Sequence, residues 1–79
     1  MYSTYVLYSE DHNKHYTGFT SNLHERLISH NQLGKGWTSK YRPWKLIYQK
    51  DFEEKSDAII HEKWLKSGIG REFIKGIVH

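Results

Sequence analysis

A basic pair borders the apolar stripe of one predicted helix. Arg26 and His30 are four residues apart, in a segment whose apolar positions are Leu23 and Leu27. At about 100° per residue, His30 lies about 20° from Leu23 on a helix, and Arg26 lies about 60° from it. The two side chains either snorkel at the edge of the stripe or point into a cleft. In a cleft, the planar guanidinium of Arg26 would bind phosphate oxygens bidentately.

A carboxylate, Glu62, lies at the centre of a second apolar stripe. Its neighbours at helical spacing are Ala58, Ile59 and Leu65. Burying a carboxylate without a partner is costly, so a cation should meet it: Arg26, a lysine or a metal ion. The sequence therefore leaves two interpretations open. One is a buried ion pair, and the other is a site for a hard divalent cation such as Mg²⁺ or Mn²⁺, which prefers oxygen ligands.

Two tyrosines, Tyr5 and Tyr16, fall in successive segments that are rich in β-branched and aromatic residues. In a β-hairpin they could form a cross-strand aromatic pair, which is an ordinary packing arrangement. Gly18 follows Tyr16 by two positions in the second segment. A glycine inside a strand indicates a bulge, or a place where another group approaches the backbone closely.

The stretch from Arg26 to Lys50 contains six basic residues and no acidic one. Aromatic residues and glycines are interleaved with them, a combination that suits a nucleic-acid backbone and stacked bases. The alternative is a solvated loop whose tryptophans cover the edge of a small core. We expect Trp44, at the start of a strand, to lie in the core and Trp37 to stack on bases. The predicted nucleic-acid contacts are Lys35, Trp37, Lys40, Arg42 and Lys45.

Capping and turn signals divide the chain into six elements. Asn22 followed by Glu25 forms a capping-box pattern that starts the first helix. Ser56 is expected to cap the second helix, and Gly68 is expected to end it as the C′ residue. The predicted elements are strands over 2–8, 15–19 and 44–52, and helices over 22–31, 57–66 and 70–74, with a turn over 10–13 and a loop over 32–43.

The order of these elements, β-β-α-β-α-α, predicts an α+β fold in which helices cover a three-stranded sheet. With 79 residues, the chain is expected to form one domain, 1–79, with a small core. It has no cysteine, which excludes disulfides and thiolate metal sites. The net charge of +3 mildly favours phosphate-bearing partners. No signal peptide or membrane span is recognised, so a cytoplasmic protein without a membrane partner is the expectation.

Taken together, these residues resemble the GIY-YIG nuclease superfamily, in its small stand-alone bacterial branch. The first signature triplet corresponds to Ser3-Thr4-Tyr5, and the second corresponds to Tyr16-Thr17-Gly18. The resemblance covers nearly the whole chain and depends on an ordered set of residues. The members of that set are Tyr5, Tyr16, Gly18, Arg26, His30 and Glu62.

The resemblance implies a three-stranded antiparallel sheet flanked by helices. It also implies hydrolysis of a DNA phosphodiester with a single divalent ion, Mg²⁺ or Mn²⁺. Glu62 would be the only protein ligand of that ion. Arg26 would bind the scissile phosphate and stabilise the charge that develops on it.

The remaining site residues would act on the attacking water. By resemblance, either Tyr5 or Tyr16 would position or deprotonate it, and His30 would assist by holding a tyrosine or a phosphate. Gly18 would let the second strand pass close to the site. A free tyrosine has a pKa near ~10 and is a poor base at pH 7, so the tyrosine would act only beside the ion or beside Arg26.

Three functions remain open from the sequence. The first is a DNA endonuclease of repair or recombination that acts on branched, flapped or damaged DNA, with a homodimer or a partner protein for targeting. The second is a nucleic-acid-binding module with little or no catalysis. It is favoured by Ser3, which replaces a glycine of the first triplet, and by the absence of asparagine after Asn31. The third is a protein-interaction domain in which Arg26 and Glu62 form a buried ion pair.

Overall fold

The computed structural model describes residues 1–33 and 40–78, which form a three-stranded antiparallel sheet with helices on both faces. The strand order is β2-β1-β3, so the first strand is central. This arrangement confirms the predicted α+β fold. No helix in the described ranges is long and apolar enough to cross a membrane. The elements are β1 (Tyr2–Ser9), β2 (Lys14–Thr20), α1 (Leu23–Ile28), a π-helical turn (Ser29–Leu33), β3 (Lys45–Phe52), α2 (Lys55–Lys66) and α3 (Gly68–Val78).

The hairpin of β1 and β2 keeps one register along its whole length, from Ser3 opposite Thr20 to Ser9 opposite Lys14. Of the two interpretations of Gly18, the bulge is therefore wrong. The register shift lies instead between β1 and β3, beside Val6. This leaves β2 as a straight edge strand.

Alternation along β1 divides the core between the two faces of the sheet. Tyr5 and Leu7 point to one face and form a cluster with Trp44, against which the apolar side chains of α1 pack. Val6 points to the other face and packs against Leu65 of α2 and Ile74 of α3. Successive strand residues face opposite sides, so both faces of β1 are covered by helices. Trp44 is 4% exposed, which confirms its predicted place in the core.

The start of α1 confirms the predicted cap, and its end differs from the prediction. The Asn22 side chain accepts a hydrogen bond from the Glu25 backbone N–H at 3.2 Å. The second half of the capping box is not made by Glu25, because the Asn22 N–H donates to the Thr20 hydroxyl at 3.1 Å. Regular α-helix ends at Ile28, and the π-helical turn follows where the prediction continued the α-helix to residue 31.

The start of α2 and the extent of α3 also depart from the sequence prediction. The N-cap of α2 is Glu54 and makes no side-chain capping bond, so Ser56 is not the cap. The predicted end of this helix is confirmed, because α2 ends at Lys66, Ser67 is its C-cap in an extended conformation, and Gly68 follows as the C′ residue. Gly68 is also the first residue of α3. A Cβ at Gly70 would collide with the Trp64 carbonyl, so a glycine is needed where α3 turns against α2. The last helix is eleven residues long and extends beyond the predicted 70–74.

Candidate active site

A buried tyrosine hydroxyl is the centre of a polar cluster on the α1 face of the sheet. Tyr5 is 1% exposed, and its hydroxyl oxygen accepts a hydrogen bond from Nε of Arg26 at 3.4 Å. The same oxygen lies 3.2 Å from Nε2 of His30, which is also buried. Both contacts are satisfied when Nε2 of a neutral imidazole accepts the phenol proton. The Tyr5 hydroxyl therefore contacts both a cation, Arg26, and a proton acceptor, His30.

The second tyrosine completes this cluster from the edge strand. The ring of Tyr16 lies 4.6 Å from the His30 ring and 6.2 Å from the Tyr5 ring, measured between centroids. Tyr5 is opposite Gly18 in the register and Tyr16 is opposite Leu7, so the two tyrosines are diagonal neighbours and do not face each other directly. The Arg26 guanidinium also hydrogen-bonds the Tyr16 side chain. The guanidinium thus bridges the two phenols.

Gly18 provides the space that the Tyr5 phenol occupies. A Cβ at Gly18 would lie 2.9 Å from the Tyr5 hydroxyl oxygen and 3.1 Å from Cε1 of Tyr16. Real Cβ atoms essentially never approach another atom closer than 3.0 Å. The close-approach interpretation of this glycine is the one that the structure supports. The group that approaches the backbone is a side chain of the cluster itself.

Burial and charge set the resting protonation of the cluster. Burial raises the pKa of Tyr5, and the Arg26 hydrogen bond only partly opposes this effect. Burial also lowers the pKa of His30, and the positive charge of Arg26 lowers it further. The two phenols raise the pKa of Arg26 through their hydrogen bonds. At neutral pH the cluster therefore contains a neutral phenol, a neutral imidazole and a guanidinium.

Glu62 lies on α2, which packs against the opposite face of the sheet from α1. Its side chain is 17% exposed and pairs with Nζ of Lys66 at 3.5 Å, one helical turn away. Among the described carboxylates, none lies within 4.0 Å of the Arg26 guanidinium. The cation that meets Glu62 is therefore a lysine. The charge of Glu62 is the last of the causes that raise the pKa of Tyr5.

The surroundings of Glu62 fit one hard cation with an open coordination shell. Its carboxylate offers oxygen ligands, which Mg²⁺ and Mn²⁺ prefer. The described ranges contain no group of three or more His, Asp or Glu side chains that could enclose a metal. An ion at Glu62 would take its other ligands from water and phosphate. Lys66, 55% exposed, can swing away from the carboxylate.

Of the predicted nucleic-acid contacts, Lys45 lies opposite Tyr8 in the register of β1 and β3, near the β1–β2 turn. Lys40 and Lys45 are exposed and Arg42 is half-buried. Nζ of Lys45 lies 3.9 Å from a carboxylate oxygen of Glu10, so an acid from the β1–β2 turn accompanies this part of the basic stretch. Two further predicted contacts lie outside the described residues, namely Lys35 and Trp37.

Asn31 is a residue near the site that the sequence reasoning missed. Its side-chain amide donates to the Trp44 carbonyl at 3.1 Å and accepts from the Trp44 N–H at 2.6 Å. These two hydrogen bonds hold the π-helical turn, which carries His30, against the start of β3. A π-helical turn in a short helix often marks a functional site. The only signal in the sequence was an amide side chain next to His30, which is weak by itself.

Comparisons with known proteins find a matching family model and several relatives. The family model described as the GIY-YIG catalytic domain matches residues 1–71. The UPF0213 protein YsiG of Lactococcus lactis is 40% identical over 73 residues, which cover 90% of this chain and 68% of that protein. A UPF0213 protein of Limosilactobacillus reuteri is 40% identical over 74 residues, covering 90% of this chain and 76% of that protein.

A solved structure has the same fold. The solution NMR structure of the UPF0213 protein BH0048 from Bacillus halodurans superposes with a TM-score of 0.57 and 26% sequence identity. The match covers 99% of this chain and 86% of that chain. The predicted resemblance therefore holds at the level of both sequence and fold.

Proposed function

This chain belongs to the GIY-YIG family, and we propose on that premise that it is a divalent-metal-dependent endonuclease that hydrolyses DNA phosphodiesters. One observation carries the proposal. The guanidinium of Arg26 bridges two phenols, and one of these phenols contacts a buried neutral histidine. A cation beside proton donors and acceptors is the combination that phosphoryl transfer needs, because that reaction depends on positioning and charge stabilisation.

Each side chain of the cluster has its own role in the proposed hydrolysis. Arg26 binds the scissile phosphate and stabilises the charge that develops on its oxygens. The oxygen of water attacks phosphorus while the bond from phosphorus to the leaving oxygen breaks. The phenol of Tyr5 or Tyr16 positions that water. Where Tyr5 takes the proton of the water, it passes its own proton to Nε2 of His30, and the leaving oxygen takes a proton from solvent. A divalent ion held by Glu62 would supply Lewis-acid stabilisation of the same phosphate.

The proposed substrates are branched, flapped or damaged DNA, as in repair or recombination. The available contacts on the described surface are cationic and aromatic side chains, which bind phosphates and base faces without reading sequence. Selection of a particular DNA would then come from its shape, or from a second copy of the chain or a partner protein.

A nicking assay tests the hydrolase. The chain is incubated with supercoiled plasmid and with flapped and four-way DNA, in Mg²⁺, in Mn²⁺ and in EDTA. An Arg26→Ala protein, purified in parallel, controls for contaminating nucleases. Nicking that needs the divalent ion and is lost in the variant supports the proposal. Equal nicking by both proteins, or none by wild type in either metal, contradicts it.

The second candidate is a nucleic-acid-binding module without catalysis, and two contacts favour it. Lys66 already neutralises Glu62, the proposed ligand. Ser3, which replaces the glycine of the first triplet, donates to a carboxylate oxygen of Asp51 at 2.7 Å. Its side chain therefore links β1 to β3 within the sheet. DNA binding without nicking in any divalent ion would select this candidate.

A further inference from the structure

A groove of about 740 Å³ lies between the edge of β2 and the corner formed by α2 and α3. Its floor is apolar and consists of Leu65 and Ile74, both of which are buried in the core of that face. Thr17 and Tyr16 of β2 form one wall. None of the described lining residues belongs to the basic stretch that the sequence analysis assigned to nucleic acid.

The rim of this groove is cationic. Lys66, Arg71 and Lys75 line it from the helices, and His15 lines it from β2. Arg71 and Lys75 are exposed, and no carboxylate is among the described lining residues. Burial lowers the pKa of His15, and the positive charge of Lys75 lowers it further. Positive groups held close together without an acid between them favour an anionic partner.

The ion pairs that two of these lysines make are weak. Glu62 lies 3.5 Å from Lys66, and Glu72 lies 3.5 Å from Lys75. Both lysines are more than half exposed, and such pairs contribute little in water. No described carboxylate lies within 4.0 Å of Arg71. A phosphate can therefore replace these partners at little cost.

Tyr16 connects the groove to the candidate active site. Its ring packs against His30 at 4.6 Å and interacts with Arg26, while the same residue lines the groove. A polyanion whose phosphate reached Arg26 would pass over the edge of β2 and meet the groove on the other face of the sheet. A small anion would occupy only one of these two sites, so the pair of sites favours a polyanion.

We propose that this groove binds the sugar-phosphate backbone of the nucleic acid, beside the scissile phosphate, through Lys66, Arg71 and Lys75. The inference rests on the proposed function, because it takes the same polynucleotide as the ligand of both sites. The arrangement of charges is the reason for placing the nucleic-acid backbone at the edge of β2. Lys45 in the predicted basic stretch has Glu10 at 3.9 Å, and Lys66 and Lys75 have Glu62 and Glu72 at 3.5 Å. The groove differs by Arg71, which has no described carboxylate within 4.0 Å.

Binding of a fluorescent flapped duplex, measured by anisotropy in EDTA, tests the groove without cleavage. Arg71→Gln combined with Lys75→Gln removes two charges from the rim. The matched control, Lys55→Gln with Lys63→Gln, removes two charges from α2 outside the groove. All four side chains are exposed, so both variants should fold, and thermal melts verify this.

The rim variant is expected to lose affinity on the order of tenfold at about 0.1 M salt. Its plot of log K against log salt should flatten by about two relative to wild type, because two phosphate contacts are lost. The control should keep the wild-type slope. Identical behaviour of the two variants would overturn the inference. So would tighter binding of poly-glutamate than of DNA by the wild type, because the groove would then recognise an acidic peptide.

Nicking measured in parallel separates this inference from the proposed function. If the wild type binds DNA through the rim and nicks nothing, the proposed hydrolysis is contradicted and the proposed role of the groove is supported. If the wild type nicks DNA and the rim variant matches the control, the groove fails and the nuclease stands. If the wild type neither binds nor nicks, both fail.

Discussion

The hydroxyl of Tyr5 lies directly over the Cα of Gly18 on the neighbouring strand, so that a single methyl group there would come 2.9 Å from the phenol oxygen. Tyr5 is 1% exposed, so its ring is buried against the rest of the cluster. Because of this contact, the lack of a side chain at Gly18 determines the position in which the Tyr5 phenol contacts Arg26 and His30.

Gly18→Ala is expected to reduce nicking much more than it reduces stability. The added Cβ would displace the phenol and cost about 1–3 kcal/mol of unfolding free energy, the usual range for overpacking. Gly76→Ala is the matched control, because a Cβ there meets nothing within 4 Å. It should leave nicking unchanged and raise the melting temperature slightly. Nicking assays and thermal melts of both variants make the comparison, and equal activity of the two would contradict the role of Gly18.

Arg26→Ala is expected to slow nicking by a factor of about 10²–10³, which corresponds to about 3–4 kcal/mol of transition-state stabilisation. Arg26→Lys should recover little of this loss, because Nε of the planar guanidinium makes the contact to Tyr5. The side chain is exposed at the edge of α1, so both variants should melt close to wild type. Single-turnover nicking rates measure the effect, and a lysine variant with full activity would show that only charge matters.

Glu62→Gln separates a metal ligand from a structural ion pair. If Glu62 holds the ion, Mg²⁺ at about ten times its dissociation constant should raise the melting temperature of wild type by several degrees. The glutamine variant should show no such rise and no nicking. Lys66→Gln removes the same ion pair and keeps the carboxylate, so it should retain the response to Mg²⁺.

The opposite pattern would assign Glu62 to structure. In that case neither wild type nor Lys66→Gln responds to Mg²⁺, and Glu62→Gln and Lys66→Gln lose similar, small amounts of stability in both buffers. Thermal melts of the three proteins with and without Mg²⁺ provide the measurement.

Reversal of Lys40 and Lys45 to Glu tests the basic stretch predicted from the sequence. If these residues line the DNA path, the double variant should weaken binding equally on all sequences and flatten the salt dependence. Lys55→Glu with Lys63→Glu changes the net charge by the same amount elsewhere. Anisotropy titrations at several salt concentrations compare the two variants, and an unchanged slope for the first would reject this placement.

Stability is expected to fall as the pH drops below about 6.5. The folded state lowers the pKa of His15, His30 and His61, chiefly through burial. Below the ordinary histidine value of about 6.5, the unfolded chain binds more protons than the folded chain, so acid favours unfolding. The stabilisation is complete above that value and is lost as the pH falls through the lowered folded values.

Melting temperatures measured from pH 8 to pH 5 should show this decline, and His30→Gln should show a shallower one. Burial raises the pKa of Tyr5, so the folded state keeps its phenol protonated while the unfolded chain ionises near ~10. Stability should therefore also fall above about pH 10. A melting temperature that rises on acidification would contradict the histidine argument.

Local signals in the sequence were sufficient where neighbouring residues make the contact. Asn22 caps α1 through the backbone N–H three residues later, and such a bond can be read from spacing. Ser56 illustrates the limit of the same reasoning, because the helix begins one residue before it and Glu54 occupies the N-cap position. Ala58 is fully buried and its backbone N–H donates to the Glu54 carbonyl at 3.3 Å, which makes Glu54 the start of the first turn.

The last helix shows how tertiary contacts override local propensity. The sequence analysis predicted a short last helix over 70–74, and this part of the chain contains glycines at 68, 70 and 76, which disfavour a helix. Ile74 packs against Val6 and Leu65, and Gly70 lies against the end of α2, so the helix is stabilised along eleven residues. Burial against the sheet outweighs the propensity cost, which is about 1 kcal/mol for a glycine.

The sequence by itself determined the types of chemistry and their place in the order of elements: two tyrosines on paired strands, a basic pair beside one stripe and a carboxylate in another. Periodicity and capping are local properties, and they are readable within one turn or one strand. The tertiary structure decided which of these groups meet. It joined Tyr5 to Arg26 and His30 over Gly18, paired Glu62 with Lys66, and brought Arg71 and Lys75 to the groove beside β2. Such contacts depend on strand register and on which face each helix covers, and both are set by burial summed over the whole chain.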